Sequence, residues 1–295
     1  GETPLAADES GLLGSINLVQ CLARDSKGAF TFDQARFAAL VRTAIRFLDG
    51  VLDLHTYPHS QIETNSLATR KIGVGVMGFA HLLALLGIRY GSGISTQMAA
   101  HIGATLFTAA CEESERLART RGHYPAWSAI HGAPARRNAS LAAISGTSTL
   151  ALLVETTGGI EPLFSHVIRH RVLGETNYVL DRVLEFFGWS RGVTADELRR
   201  RLLDGEPLGH VVGEDVACLF PLAHEIPGEQ HIEVQAAFQH EIDGGISKTL
   251  NCPSESSVED IERWLRLAHR RGCMGLTIYR DGARIDQPLT VPGRG

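Results

Sequence analysis

The sequence predicts an α/β fold. Segments of helical periodicity alternate with short apolar runs, and those runs end in loops of Gly, Ser and Thr. The connections between runs are long enough to hold crossover helices. In such folds ligands gather at the carboxyl ends of buried strands, so the loops are the first places to look for a site.

In chain order, Leu13-Gly14-Ser15-Ile16-Asn17-Leu18 alternates apolar and polar residues as a strand does. Lys27-Gly28 marks a turn. Thr31 is expected to cap a helix in which Phe37, Leu40, Val41, Ala44, Ile45, Leu48, Val51 and Leu52 recur at helical spacing, ending before Pro58. Ile72-Gly73-Val74-Gly75-Val76-Met77-Gly78 leads into a helix from Phe79 to Leu86. Its Gly73, Gly75 and Gly78 spell GxGxxG, but the acidic residue that a dinucleotide site needs about 20 positions on is absent. Close packing of strand and helix is the better account of these glycines.

A long helix follows from Ser95 to Thr120, with Met98, Ile102, Leu106, Ala109 and Ala110 on one face. Further helices are expected over Tyr178–Phe187, from Thr194 (a capping box with Glu197), over His231–Asp243, and over Val258–Arg270 behind Ser257 and Asp260. Leu276-Thr277-Ile278-Tyr279 reads as a short strand. Residues 1–285 form one domain, and the Pro/Gly-rich residues 286–295 form a flexible tail.

Composition narrows the class. The chain has 295 residues, 44% hydrophobic and 21% charged, which is ordinary globular composition. Its net charge of −5 offers no basic surface for nucleic acid. No apolar stretch is long enough to span a membrane. Gly1-Glu2-Thr3-Pro4 lacks the form of a signal peptide and an initiator Met, so the sequence reads as a processed product or a fragment. The five cysteines, at 21, 111, 218, 252 and 273, form no CxxC pair, which points to reduced thiols and a cytoplasmic protein. His55/His59 and His166/His170 are four apart but lack partners of metal-ligand type, and no metal site is expected.

The stretch from Arg137 to Pro162 is the most suggestive. Gly146-Thr147-Ser148-Thr149 is a loop of small and hydroxylated residues suited to a phosphate. Leu150 to Val154 is an apolar run expected to be a buried strand, and Thr156-Thr157-Gly158-Gly159 is a second small-residue loop. The loop at 245–251 is expected to share a pocket with these two.

Eight collinear segments carry a resemblance. They are Leu13 to Leu18, Arg70 to Phe79, Arg137-Asn138-Ala139-Ser140, Gly158-Gly159-Ile160-Glu161-Pro162, His231-Ile232, Gln235-Ala236-Ala237-Phe238-Gln239, Ile246 to Asn251, and Gly275 to Arg284. Together they resemble the large catalytic chain of ribonucleotide reductase, in its adenosylcobalamin-dependent class. The resemblance implies the second half of a ten-stranded α/β barrel, with the radical-bearing cysteine and the first half-barrel lying upstream.

It further implies reduction of ribonucleoside di- or triphosphates by a thiyl-radical mechanism, with adenosylcobalamin as cofactor and an external dithiol as reductant. Glu2 would be the catalytic base. Ser15, Asn17, Gly146, Thr147, Ser148, Thr149, Gly159 and Ser247 would bind substrate.

The sequence departs from the family's pattern in several places. The phosphate loop of the family reads Pro-Thr-Gly-Thr, so Gly146 and Ser148 are changed while Thr147 and Thr149 are kept. Gly11 stands where the family has a cysteine that supplies electrons, and Cys21 is the nearest thiol in sequence that could replace it. Met274 and His81 stand where Lys and Asp are frequent. These departures leave a second reading open: a degenerate homologue that binds a nucleotide or a partner chain without reducing it.

Overall fold

A computed structural model describes residues 2–128, 134–172 and 175–283. The expected tail, 286–295, lies outside the described residues.

β1 (Leu12–Asn17) leads through a 3-10 turn into β2 (Leu22–Arg24), which pairs antiparallel with β3 (Phe30–Phe32). α1 (Gln34–Leu54) and α2 (Ser60–Thr69) follow, then β4 (Ile72–Met77), α3 (Phe79–Leu85) and the long α4 (Gly93–Arg121). α5 (Ser148–Leu153) precedes the antiparallel pair β5 (Val167–Val172) and β6 (Glu175–Leu180). α6 (Arg182–Ser190), α7 (Ala195–Leu203), α8 (Leu208–Val212) and α9 (Glu214–Ala217) are short. α10 (Gly228–Gln239), β7 (Thr249–Cys252), α11 (Val258–Arg270) and β8 (Thr277–Arg280) complete the chain.

β1 and β4 run parallel with Leu12 opposite Ile72 and Asn17 opposite Met77. The ladder continues through parallel bridges, Val74 to Ala142 and Ile144 to Ile246. Segments 141–144 and 244–247 are thereby added as parallel neighbours. The helices between them are the crossovers that parallel pairing requires. β7 and β8 form a further parallel pair. The fold is thus mixed α/β, as the sequence predicts.

The main core lies on one face of this sheet. Phe37, Val41, Ile45 and Leu52 of α1 pack with Ile102 and Leu106 of α4, Val74 and Val76 of β4, and Phe238 of α10. A second core collects Leu163, Val167, Leu184, Leu198, Val212 and Phe220, all from residues 163–222. Among the described residues no helix is long and apolar enough to cross a membrane.

Three expectations are corrected. Asp33, not Thr31, caps α1: its carboxylate accepts the Arg36 N–H at 2.9 Å, while Thr31 lies in β3. Leu150–Val154 is not a buried strand. It lies mostly in α5, with Leu150, Leu152, Leu153 and Val154 all exposed. A five-residue apolar run has no period that tells helix from strand.

The expected helix over Tyr178–Phe187 is the end of β6 followed by α6. Asp181 separates them by capping α6 at the Leu184 N–H, 2.9 Å away. The remaining helices and the 276–279 strand fall where expected, within a few residues at their ends.

The GxGxxG glycines are packing residues. A Cβ on Gly75 would sit 2.3 Å from the Ala143 carbonyl oxygen, and one on Gly73 would sit 2.8 Å from the Ala143 Cβ. Gly78 holds a φ of +80° at the entry to α3, which favours glycine.

Candidate functional site

The small-residue loops converge at the carboxyl end of segment 141–144. The Ser247 N–H donates to the Ile144 carbonyl at 2.7 Å, which carries the 244–247 segment alongside. A Cβ on Gly146 would come within 3.3 Å of the Ser247 hydroxyl. The Gly159 N–H donates to the Thr147 hydroxyl oxygen at 2.8 Å. Accepting there leaves that hydroxyl its own O–H as a donor.

Gly158 and Gly159 are required by closeness: a Cβ on either would lie 2.6 Å from the Gly146 carbonyl oxygen or 2.8 Å from that of Ser145. Thr147 itself holds a φ of +46° as the residue before α5. No side chain caps α5, so the N–H groups of its first turn, from Ser148 onward, meet no capping acceptor. Ser148 and Thr149 are exposed beside them.

The other expected residues are placed less tightly. The Glu2 carbonyl accepts the Gly245 N–H, two residues before Ser247. This brings the start of the chain onto the same sheet edge. Ser15 lies in β1 opposite Gly75, with segment 141–144 beyond. Asn17 caps the 3-10 turn after β1 through the Val19 N–H at 3.1 Å, and it lines a cavity of about 730 Å³ with Phe30, His81, Thr156 and Trp189. That cavity lies against the far end of α5 and reaches the 156–159 loop at Thr156.

Gly11 has room for a side chain, since a Cβ there would lie 3.4 Å from the Lys71 carbonyl oxygen and 3.6 Å from Leu5. Cys21 is poorly placed to replace the thiol missing there. It is fully buried in the main core, and burial pushes its thiol up to about 11. A thiol protonated at neutral pH and shut off from solvent is a poor partner for disulfide exchange.

Three polar clusters were not visible in the sequence. In the first, Lys248 is fully buried. Its ammonium donates to Glu161 Oε2 at 2.7 Å, to His231 Nδ1 at 2.9 Å, and to the Thr249 carbonyl. The second Glu161 oxygen accepts the Thr249 N–H at 2.6 Å. His231 Nε2 donates to the Ala223 carbonyl at 2.9 Å, so Nδ1 must accept and the ring is neutral. Burial, reinforced by the Lys248 charge, holds the imidazole well below its ordinary value.

In the second cluster, Asp49 on the buried face of α1 is surrounded by Arg70, Asn138, Arg121 and Arg137. In the third, His81 bridges Asp181 at 2.7 Å and the Thr156 hydroxyl at 3.2 Å. Burial would raise the Asp181 carboxyl, but the His81 charge and hydrogen bond outweigh it and hold the group below its ordinary value. The signal for the first cluster was present in the motifs GGIEP, HI and ISKTLN, each of which supplies one member.

The neutral His231 has a pH consequence. Its folded value lies below its unfolded one, so the unfolded chain takes up a proton first as pH falls. Stability is therefore full above about 6.5 and declines below it, by up to about 1.4 kcal/mol per pH unit. Urea unfolding at pH 7.5 and 5.5 should show the decline, and His231→Gln should flatten it. An equal decline in the variant would remove His231 as its source.

The scaffold is a mixed α/β fold with small-residue loops gathered at the ends of its parallel segments. The family described as "Ribonucleotide reductase, barrel domain" matches residues 1–136 and 131–279. The vitamin B12-dependent ribonucleoside-diphosphate reductase of Mycobacterium tuberculosis (strain CDC 1551 / Oshkosh) is 37% identical over 98% of this chain and 42% of its own length. The protein of the same name from Thermoplasma acidophilum is 36% identical over 99% of this chain and 38% of its own.

The class Id ribonucleotide reductase α subunit of Actinobacillus ureae shares the fold, with a TM-score of 0.76 at 21% identity. That likeness covers 96% of this chain and 52% of that one. The chain belongs to the ribonucleotide reductase barrel-domain family. It spans about two-fifths of the length of these curated relatives.

Proposed function

We propose that this chain is the second half of the catalytic barrel of a cobalamin-dependent ribonucleotide reductase, acting as part of a longer protein. The observation that carries this is the 37% identity over 98% of the chain to a reductase named as vitamin B12-dependent. The convergence of Gly146–Thr149, Gly158-Gly159 and Ser247 supports it, since these loops gather donors and small residues at one place. In this reading Thr147, the first-turn N–H groups of α5 and Ser247 hold the substrate phosphates. Ser15 lines the approach from β1, and Asn17 would bind substrate from the end of that strand, through the cavity that reaches Thr156.

Glu2, brought to the same sheet edge by Gly245, takes the proton of the ribose 3′-hydroxyl as general base. The hydrogen abstraction that precedes this step belongs to a cysteine thiyl radical outside this stretch, in a half-barrel that completes the sheet. Adenosylcobalamin supplies the radical when bound. Among the described residues no group of three His, Cys, Asp or Glu could hold a metal ion. This stretch is assigned only substrate binding and proton transfer. A ribonucleoside di- or triphosphate is the substrate and an external dithiol is the reductant.

Gly11 favours a second reading, a homologue that binds nucleotide without turnover, because glycine cannot supply electrons. One experiment separates the two. The full-length protein is assayed for ribonucleotide reduction with adenosylcobalamin and dithiol, as wild type and as Gly11→Cys. The first reading expects cofactor-dependent turnover by the wild type. Turnover seen only in Gly11→Cys, or in neither protein, would favour the second.

A further inference from the structure

The Lys248 cluster lies outside the residues assigned to substrate, yet it connects to them directly. Lys248 follows Ser247 in sequence. Its ammonium has three protons and three acceptors, on Glu161, His231 and Thr249, so it is fully satisfied and fixed in place. Glu161 is two residues from Gly159, whose N–H holds the Thr147 hydroxyl. Between them the Ile160 carbonyl accepts the hydroxyl of the buried Tyr90 at 2.7 Å. A continuous path therefore runs from His231 in α10, through Lys248, Glu161 and Gly159, to Thr147. A second path runs from Lys248 one residue back to Ser247.

We propose that Lys248 is a positioning residue, which sets the 146–149 loop and Ser247 at the separation that a substrate's phosphates require. It acts through Glu161 and the backbone and touches no substrate itself. This rests on the reading of those loops as a phosphate site.

The geometry explains why a lysine is needed. The ammonium must satisfy a carboxylate, an imidazole nitrogen and a carbonyl at once, in a place closed to water. A methionine of similar length fills the space and joins none of them. Losing the tie leaves Glu161 with the Thr249 N–H in place of a buried ammonium, while Tyr90 still holds the Ile160 carbonyl and Gly159 still reaches Thr147. The Thr147 hydroxyl then loses its fixed distance from Ser247.

Lys248→Met alone strands the Glu161 carboxylate and can unfold the chain, so the deciding variant is Lys248→Met/Glu161→Gln. It removes both charges and keeps their volumes. The experiment uses the full-length protein with adenosylcobalamin and dithiol, and compares KM and kcat for a ribonucleoside diphosphate with the thermal midpoint. Binding of inorganic pyrophosphate is measured in parallel by calorimetry. The expected result is a thermal midpoint close to wild type, a KM raised about fivefold to tenfold, kcat within about twofold, and pyrophosphate affinity lowered by the same factor.

A double variant with wild-type KM and wild-type pyrophosphate affinity would overturn the role of Lys248 and leave the proposed function standing. A wild-type protein that binds pyrophosphate without reducing nucleotide would overturn the proposed function, while the pyrophosphate ratio would still decide Lys248. A wild-type protein that neither reduces nor binds would overturn both.

Discussion

Asp49→Ala is expected to cost about 3–5 kcal/mol of stability, a large share of what a domain of this kind possesses. Asp49 is fully buried on α1. Its Oδ1 accepts from Arg70 Nε at 3.0 Å, from Arg70 Nη2 at 2.7 Å and from Asn138 Nδ2 at 3.1 Å. Arg137 and Arg121 approach the carboxylate at 3.4 and 3.5 Å. Removing it leaves the buried Arg70 with the half-exposed Asp53 as its carboxylate and the carbonyl of residue 49 as a further acceptor, and strips one partner from the Asn138 amide.

The size of the effect follows from taking the buried carboxylate away from a buried guanidinium, whose remaining counter-charge is exposed to water. Asp53→Ala is the control. Its carboxylate pairs with the same Arg70 at 2.7 Å but is 45% exposed, and its loss should cost no more than about 1 kcal/mol. Chemical denaturation of the two variants measures the difference. Equal costs would mean that burial does not set the worth of these pairs.

Gly75→Ala is expected to be nearly as damaging, at about 3 kcal/mol. The new methyl would meet a backbone carbonyl 2.3 Å away, on a strand held from both sides. No rotamer change relieves it, so β4 and segment 141–144 must part, which puts the cost at the upper end of ordinary overpacking. Gly73→Ala meets the movable end of Leu13 and a methyl of Ala143, and should cost about 1 kcal/mol. Thermal unfolding of both variants checks the order. If Gly73→Ala proves the worse, the close strand approach at Gly75 is not what the glycine provides.

These residues show how much the sequence disclosed. Helical periodicity located α1, α4 and α11 because each buries one face, whereas α10 is buried on most of its sides. It did not reveal Asp49, a carboxylate on such a face, because its partners lie 21 and 89 positions away in the chain. The family motifs were legible as a pattern but not as structure. Arg70 and Asn138 turn out to meet at Asp49, and Glu161, His231 and Lys248 meet one another.

Segment 141–144 is not legible as a strand because Leu141-Ala142-Ala143-Ile144 is short and half alanine, with little strand propensity. α5 is not legible as a helix because its apolar residues face outward, which no local pattern discloses. Of the expected site, the 146–149, 158–159 and 247 positions come together, whereas Asn17 is engaged in capping and lines the cavity at the far end of α5.

The second core has a bearing on the history of the chain. Residues 163–222 leave the main body and return to it at one point, where Leu163 and Leu222 form a parallel bridge and the Ala223 N–H donates to the Leu163 carbonyl at 2.7 Å. Its interior is nearly self-contained: among the described residues, Ala84 is the one buried member from outside that segment. An excursion with adjacent ends can gain or lose residues at a cost that grows only with the logarithm of its length. The sheet and its converged loops then feel little of the change. The segment is thus a place where insertions can accumulate and new surfaces can evolve, while the His81–Asp181 pair keeps it moored to α3.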